Sequence, residues 1–105
     1  MRTKRRYIAF DVIGQGRLTR GEVIDSLVGS HLSFVGERDY SVSSPWLISF
    51  DEGSQRGIVR TNLDGLHQLR ASMALINEVR GKRVIFRTLG LSGTIRSCED
   101  RFIKK

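Results

Sequence analysis

Cysteine, proline and histidine are scarce in this chain, whose 105 residues contain one cysteine, one proline and two histidines. The lone Cys98 cannot form an internal disulfide, which indicates a reducing compartment, the cytoplasm. His31, His67 and Cys98 lack the spacing of metal ligands, for example two residues at i and i+4. Cys98 also has no base in register that would activate it as a nucleophile. The sequence therefore predicts no metal site and no catalytic residue.

Long apolar runs are missing as well. No stretch approaches the ~18 to 20 apolar residues that a membrane-spanning helix requires. The N-terminus is basic like the start of a signal peptide, but Asp11, Gly14 and Gly16 interrupt the segment that follows. We therefore expect a cytoplasmic protein with no membrane partner.

Positive charge is what the chain has in excess. Eighteen Lys and Arg residues oppose eleven Asp and Glu residues, giving a formal net charge of +7. Such a surplus on one small domain is typical of proteins that bind RNA or DNA. Three basic clusters stand out in the sequence: Arg2, Lys4, Arg5 and Arg6; Arg80, Lys82, Arg83 and Arg87; and Arg96, Arg101, Lys104 and Lys105. Because strand ends meet in an antiparallel sheet, these clusters could merge into one surface.

Hydrophobic periodicity predicts the element order β-α-β-β-α-β. Strands are expected at 7–13, 46–50, 55–61 and 82–89, and helices at about 20–35 and 64–80. Thr19 and Glu22 have the spacing of a capping box before the first helix. Gly36 is expected to open a loop that runs to Ser44, and Gly81 to terminate the second helix. In the tail, 93–96 could extend the sheet and 97–103 could form a short helix.

This order is the split βαβ arrangement, an antiparallel sheet with two helices on one face. We therefore predict a single α+β domain over 1–105 with a ferredoxin-like, RRM-like fold and a short C-terminal tail element. An RRM reads single-stranded RNA with aromatic residues on its central strands. Here the third strand, 56–60, carries aliphatic residues in their place. The strands are apolar on both faces, so the second face needs a covering element or a protein partner.

Carboxylates offer no paired acid–base site in the sequence. Adjacent acids such as Asp51 and Glu52, or Glu99 and Asp100, point apart on a strand or turn. Asp11 is different because it interrupts an otherwise apolar strand. We expect it to cap a backbone group or to pair with an arginine across the sheet.

Six segments together resemble the ribonuclease P protein component 2 family, the archaeal relative of a small subunit of eukaryotic RNase P and RNase MRP. The similarity spans nearly the whole chain, in the family's order and spacing. The segments are Arg6–Phe10, Trp46–Asp51, Gly57–Arg60, Arg70–Ile76, Arg83–Gly90 and Ser92–Arg96.

The resemblance implies an RRM-like fold without RNA-stacking aromatics, in a holoenzyme that removes the 5′ leader from precursor tRNA. The catalyst there is the ribonuclease P RNA, which uses Mg²⁺, and the protein binds no cofactor of its own. The family works with a TIM-barrel-like protein subunit, and two such pairs can form a heterotetramer beside other RNase P proteins.

From the clustering we predict that Arg5, Arg6, Arg83, Arg87 and Arg96 face RNA phosphates. The apolar sheet face and helix residues are expected to hold the protein partner. A free-standing RRM-like RNA-binding module is the alternative. A small-molecule regulatory domain is disfavoured by the charge, and a stand-alone nuclease by the missing acids and histidines.

Overall fold

The computed structural model describes residues 4–43 and 45–104, with side chains for 4–36 and 45–104. Within these residues the chain alternates strands and helices much as predicted. The elements are β1 (Arg5–Gly14), α1 (Arg20–Ser43), β2 (Trp46–Asp51), β3 (Arg56–Asn62), α2 (Leu66–Leu75, after a 3₁₀ turn at Leu63–Gly65), β4 (Glu78–Val79), β5 (Lys82–Ser92) and α3 (Ile95–Cys98, continuing as wider turns over Glu99–Ile103).

The five strands form one antiparallel sheet in the order β2-β3-β1-β5-β4. Setting aside the two-residue β4, the long strands follow the order expected of a split βαβ fold. The predicted α+β, ferredoxin-like class is therefore confirmed. No helix in the described part of the chain is long and apolar enough to cross a membrane.

The helix face, which is the side of the sheet packed by α1 and α2, holds the main core. The Phe10 ring stacks between Phe50 and Phe86, at centroid distances of 6.1 and 5.7 Å. A Cβ at Gly57 would lie 2.9 Å from Phe10 Cζ and 2.6 Å from the Ser49 carbonyl oxygen. Glycine at position 57 thus lets the aromatic stack close onto β3.

The second helix is shorter than predicted, because it ends at Leu75 and not at Arg80. Ile76 is extended, and the next residues form β4, which pairs with the start of β5. Arg80 and Gly81 both have positive φ, 50° and 81°, as a two-residue type I′ hairpin turn requires. Gly81, which was predicted to terminate the second helix, therefore belongs to the turn of the β4–β5 hairpin.

The first helix begins as predicted but continues further. Thr19 and Glu22 form the capping box, with Glu22 N–H donating to Thr19 Oγ1 at 3.2 Å and Thr19 N–H donating to Glu22 Oε1 at 2.9 Å. Gly36 interrupts α1 with φ 82° and ψ 169°. The backbone is helical again to Ser43, so the predicted loop was wrong over 37–43, and Ser44 lies outside the described residues.

The tail covers part of the second face, which is the side of the sheet opposite α1 and α2. Thr94 caps α3 by accepting a hydrogen bond from Ser97 N–H at 3.2 Å, so 93–96 starts a helix and does not extend the sheet. Phe102 lies directly on Gly90, where a Cβ would be 2.1 Å from the ring. The covered half of the second face comprises Tyr7, Ala9, Ile48, Ile58 and Leu89, which pack with Cys98 and other α3 residues. Of the two expected covers, an element of the chain or a protein partner, α3 supplies the first over this half of the face.

Candidate nucleic-acid interface

Sheet register divides the predicted arginines into two groups. β1 and β5 run antiparallel, with Tyr7 opposite Ser92 and Gly14 opposite Val84. Arg5 therefore lies at one end of the sheet, and Arg87, opposite Asp11, lies six residues further along β1, about 20 Å away. The expected single merged surface is replaced by two basic surfaces.

The first basic surface consists of Arg5, Arg6 and Arg96. Arg5 is exposed and Arg6 is half-buried, with Arg6 Nη1 donating to the Arg5 carbonyl oxygen at 2.8 Å. A Cβ at Gly93, just before α3, would lie 3.9 Å from the same Nη1, so this guanidinium sits beside the start of α3. Arg96 has a 93% exposed side chain whose ion pair with Asp100 is 4.0 Å long. Exposed pairs of this kind hold a side chain only weakly, so Arg96 is free to reach a phosphate.

The second basic surface is the open half of the second face, where α3 does not reach. It comprises Ile13 on β1, Arg56 on β3, and Arg83, Ile85 and Arg87 on β5, whose side chains share this face by alternation. Ile13 and Ile85 lie opposite each other and are 42% and 59% exposed. No carboxylate of the described side chains lies within 4.0 Å of the Arg83 or Arg56 guanidinium. Exposed cations beside exposed aliphatic groups suit a phosphate backbone at this place.

A groove of about 610 Å³ continues the open half toward the β4–β5 hairpin, and no sequence pattern indicated it. Its lining residues are Ile13, Gly14, Gln15, Asn77, Glu78, Arg83, Val84 and Ile85.

Asp11 pairs with an arginine across the sheet, as expected from its place in an apolar strand. Its Oδ1 accepts from Arg87 Nε at 3.0 Å and its Oδ2 accepts from Arg87 Nη2 at 2.6 Å. The Asp11 side chain is 8% exposed, whereas that of Arg87 is 57% exposed. The hydrogen bonds and the charge of Asp11 raise the pKa of Arg87 above its ordinary value. One end of this guanidinium is therefore fixed while the other faces solvent.

Other basic residues of the predicted second cluster are engaged at the start of α1. Lys82 Nζ lies 3.2 and 3.3 Å from the Glu22 carboxylate oxygens and donates to the Arg17 carbonyl oxygen at 2.9 Å. Arg80 contacts Glu22 at 3.8 Å and Asp25 at 4.0 Å. The Thr19 backbone hydrogen bond, followed by Lys82 and Arg80, lowers the pKa of Glu22. Lys82 and Arg80 therefore face acids of α1, whereas Arg83 and Arg87 face outward from the sheet.

The histidines and the cysteine do not come together. His31 is buried between α1 and α2, its Nδ1 3.1 Å from Ser72 Oγ, and burial lowers its pKa. Cys98, the last residue of α3, is buried against the sheet, and burial raises the pKa of its thiol. His67 lies on the exposed side of α2. Among the described residues, no three His, Cys, Asp or Glu side chains form a group that could hold a metal ion.

A model of the Rpp14/Pop5 family matches residues 6–103 of the chain. The chain belongs to the Rpp14/Pop5 family. Among its curated relatives, "Ribonuclease P protein component 2" of Pyrococcus horikoshii is 42% identical over 105 residues, covering 100% of this chain and 88% of the relative. The protein of the same name from Methanocaldococcus jannaschii is 36% identical over 103 residues, covering 98% of this chain and 75% of the relative. The family resemblance seen in the sequence is confirmed.

A solved structure supports the fold independently. A chain in the cryo-EM structure of yeast ribonuclease MRP matches with a TM-score of 0.70, covering 90% of this Rpp14/Pop5 family member and 77% of the yeast chain. The two sequences are only 10% identical. The two chains therefore share a fold although their sequences differ at most positions, so the match says nothing about individual surface residues.

Proposed function

We propose that this chain is a protein subunit of ribonuclease P, the holoenzyme that removes the 5′ leader from precursor tRNA by endonucleolytic cleavage. The observation that carries the proposal is the 42% identity over all 105 residues to a ribonuclease P protein component. The two exposed basic surfaces support a role in RNA contact. In this proposal the chain works in the cytoplasm and contributes no catalytic group of its own.

The proposed mechanism is electrostatic. Arg5, Arg6 and Arg96 on the first surface, and Arg83 and Arg87 on the second, neutralise phosphates where RNA strands crowd together. Each neutralised phosphate releases counterions, so a folded RNA core forms more readily. In this proposal Mg²⁺ at the cleavage site belongs to the catalytic RNA, as the family resemblance implies. Two separated surfaces also allow the protein to bridge two RNA segments.

A protein partner is the second part of the proposal. We assign it to a TIM-barrel-like subunit, with two such pairs forming a heterotetramer beside other RNase P proteins. The covered half of the second face is closed by α3, so the helices are the better place for this contact. Val28 and Leu32, one turn apart on α1, are 37% and 38% exposed, and Leu75 on α2 is 60% exposed. Exposed apolar side chains of this kind suit a protein interface.

The test is precursor-tRNA cleavage by a ribonuclease P RNA, with and without this chain and its TIM-barrel-like partner. We expect stimulation at low Mg²⁺ that requires both proteins, because phosphate neutralisation substitutes for part of the screening by Mg²⁺. Stimulation by this chain alone would contradict the paired-subunit proposal. No stimulation, with both proteins folded and bound to each other, would favour a free-standing RNA-binding module.

A matched set of variants assigns the RNA contacts. Alanine at Arg5, Arg6 and Arg96 together, or at Arg83 and Arg87 together, is expected to weaken RNA binding and to lower its salt dependence. A folded multiple variant with unchanged RNA affinity would overturn the assignment. Arg70→Ala, on an exposed position of α2 away from both surfaces, serves as the control.

A further inference from the structure

A buried carboxylate stands in the middle of the open half of the second face, where a nucleic-acid surface would be expected to avoid negative charge. Asp11 lies between Arg87 of β5 and Arg56 of β3 in the sheet register. Its two oxygens bind Arg87 Nε and Nη2 at 3.0 and 2.6 Å. A simple charge count would therefore treat Asp11 as a residue that weakens RNA binding.

The geometry of the pair opposes that reading. An arginine has five N–H donors in one rigid plane. Asp11 takes the edge formed by Nε and Nη2, which leaves Nη1 and the second hydrogen of Nη2 for another acceptor. The Arg87 side chain is 57% exposed although its partner is 8% exposed. The unoccupied donors therefore project from the sheet in a fixed direction.

A fixed arginine has an advantage over a mobile one in binding a phosphate. A free arginine loses much of its rotamer freedom when it contacts a ligand, and that loss opposes binding. For Arg87 the loss is already incurred when the protein folds, because Asp11 holds the guanidinium. Two parallel donors then match two phosphate oxygens.

We infer that Asp11 is a positioning residue for RNA binding, and that it presents Arg87 to a phosphate group instead of merely cancelling its charge. The inference rests on the proposed RNA contact at Arg87. Asp11 touches no RNA itself; it acts through the orientation of the guanidinium.

Asp11→Asn is the decisive variant, because the two readings predict opposite signs. If Asp11 positions Arg87, the variant binds ribonuclease P RNA about two- to tenfold more weakly. This loss corresponds to the entropy cost of immobilising one long side chain on binding. If Asp11 only neutralises Arg87, the variant binds more tightly and the slope of log affinity against log salt becomes steeper. The measurement is a salt titration with full-length ribonuclease P RNA from the organism that encodes the chain, using the complex with the partner subunit.

Asp51→Asn is the matched control, since it removes the same charge from the register position opposite Arg56. Asp51 accepts hydrogen bonds within its own turn, from Gly53 N–H at 3.0 Å and from Ser54 Oγ at 3.0 Å, and asparagine can largely keep these contacts. We expect unchanged or slightly tighter RNA binding. Weakening as large as that of Asp11→Asn would show a general effect of acid removal and overturn the inference.

Arg87→Gln separates failure of the inference from failure of the RNA contact. If Arg87→Gln leaves RNA affinity unchanged, Arg87 makes no contact and the inference falls, while cleavage stimulation by the wild-type protein still decides the proposed function. If Arg87→Gln weakens binding, the double variant with Asp11→Asn should bind no more weakly than Arg87→Gln alone. An additive loss would mean that Asp11 acts elsewhere.

Arg87→Lys covers the case in which Asp11→Asn does not fold. Lysine keeps the charge, but its single ammonium group has no second edge to present once it faces Asp11. We expect RNA binding to fall nearly as far as with Arg87→Gln, with a normal thermal transition. Wild-type affinity in Arg87→Lys would overturn the inference.

Discussion

The covered and open halves of the second face belong to the same strands but carry different chemistry. In the covered half, Ala9 and Gly90 leave room for the α3 side chains, and Ile58 is completely buried. In the open half, the same strands carry Asp11, Arg87 and the exposed pair Ile13 and Ile85. The difference teaches that three central strands can serve a protein interior at one end and a charged surface at the other.

Weakening the contact between the α3 segment and the covered half should have the largest effect on stability. Phe102→Ala deletes the ring that lies on Gly90, and we expect unfolding free energy to fall by about 2 to 3 kcal/mol, somewhat less than for a fully buried phenylalanine. Urea unfolding measures the change. Ile85→Ala in the open half is the control, with an expected change within about 0.5 kcal/mol. Equal losses in the two variants would erase the distinction between the halves.

The reactivity of Cys98 measures whether α3 separates from the sheet. The thiol is buried between α3 and the sheet, and burial raises its pKa, so both limited access and unfavourable thiolate formation oppose alkylation. We expect iodoacetamide to modify native protein at least about 100-fold more slowly than the unfolded chain. Phe102→Ala should recover much of that rate. Rapid modification of the native wild-type protein would mean that α3 does not stay on the sheet.

Neighbouring basic residues on β5 should separate into RNA-binding and structural roles. Arg83→Ala in the open half is expected to lower the salt slope of RNA binding by about 1 without changing the melting temperature. Lys82→Ala, which removes contacts to Glu22 and the Arg17 carbonyl oxygen, is expected to lower the melting temperature and to leave the slope nearly intact. Paired salt titrations and thermal melts measure both effects. The reverse pattern would exchange the two roles.

The helix face provides the smallest expected effect, through the pH dependence of stability. Burial lowers the pKa of His31 below 6.5 in the folded protein, so the unfolded chain binds the proton more readily. Stability should therefore fall as pH drops below about 6.5, and this loss ends below the folded-state pKa. Urea midpoints between pH 8 and pH 5 measure it. His31→Gln should remove this dependence and His67→Gln should retain it; a flat wild-type profile would contradict the prediction.

The sequence predicted those features that depend on local pattern. Alternating apolar residues located the four long strands, and the Thr19–Glu22 spacing located the first cap. Asp11 within an apolar strand indicated either a backbone cap or a cross-strand arginine, and the structure shows the arginine. Which arginine pairs with Asp11 depends on the register of β1 and β5, and a local sequence pattern does not reveal strand register.

Features that depend on packing were missed. Ile76 and Val79 continue the helical spacing of α2, yet both are buried from extended backbone. Gly81 suits a helix terminus and a type I′ turn equally well, so tertiary contact decided between them. The predicted merging of the basic clusters failed for a similar reason. Proximity in sequence gave no measure of the roughly 20 Å of strand between Arg5 and the position of Arg87.

Gly57 bears on how motifs are interpreted in sheets of this shape. The dipeptide Arg56-Gly57 matches the Lys/Arg-Gly opening of the RNA-reading strand of an RRM, but the Phe10 ring on the helix face already requires the glycine. A requirement for a tight aromatic stack would favour this glycine even in a strand that never binds RNA. The glycine in this motif therefore reflects packing inside the protein and is not evidence of RNA binding. A search for RNA-reading sheets should score the side chains exposed beside such a glycine, and give no weight to the glycine itself.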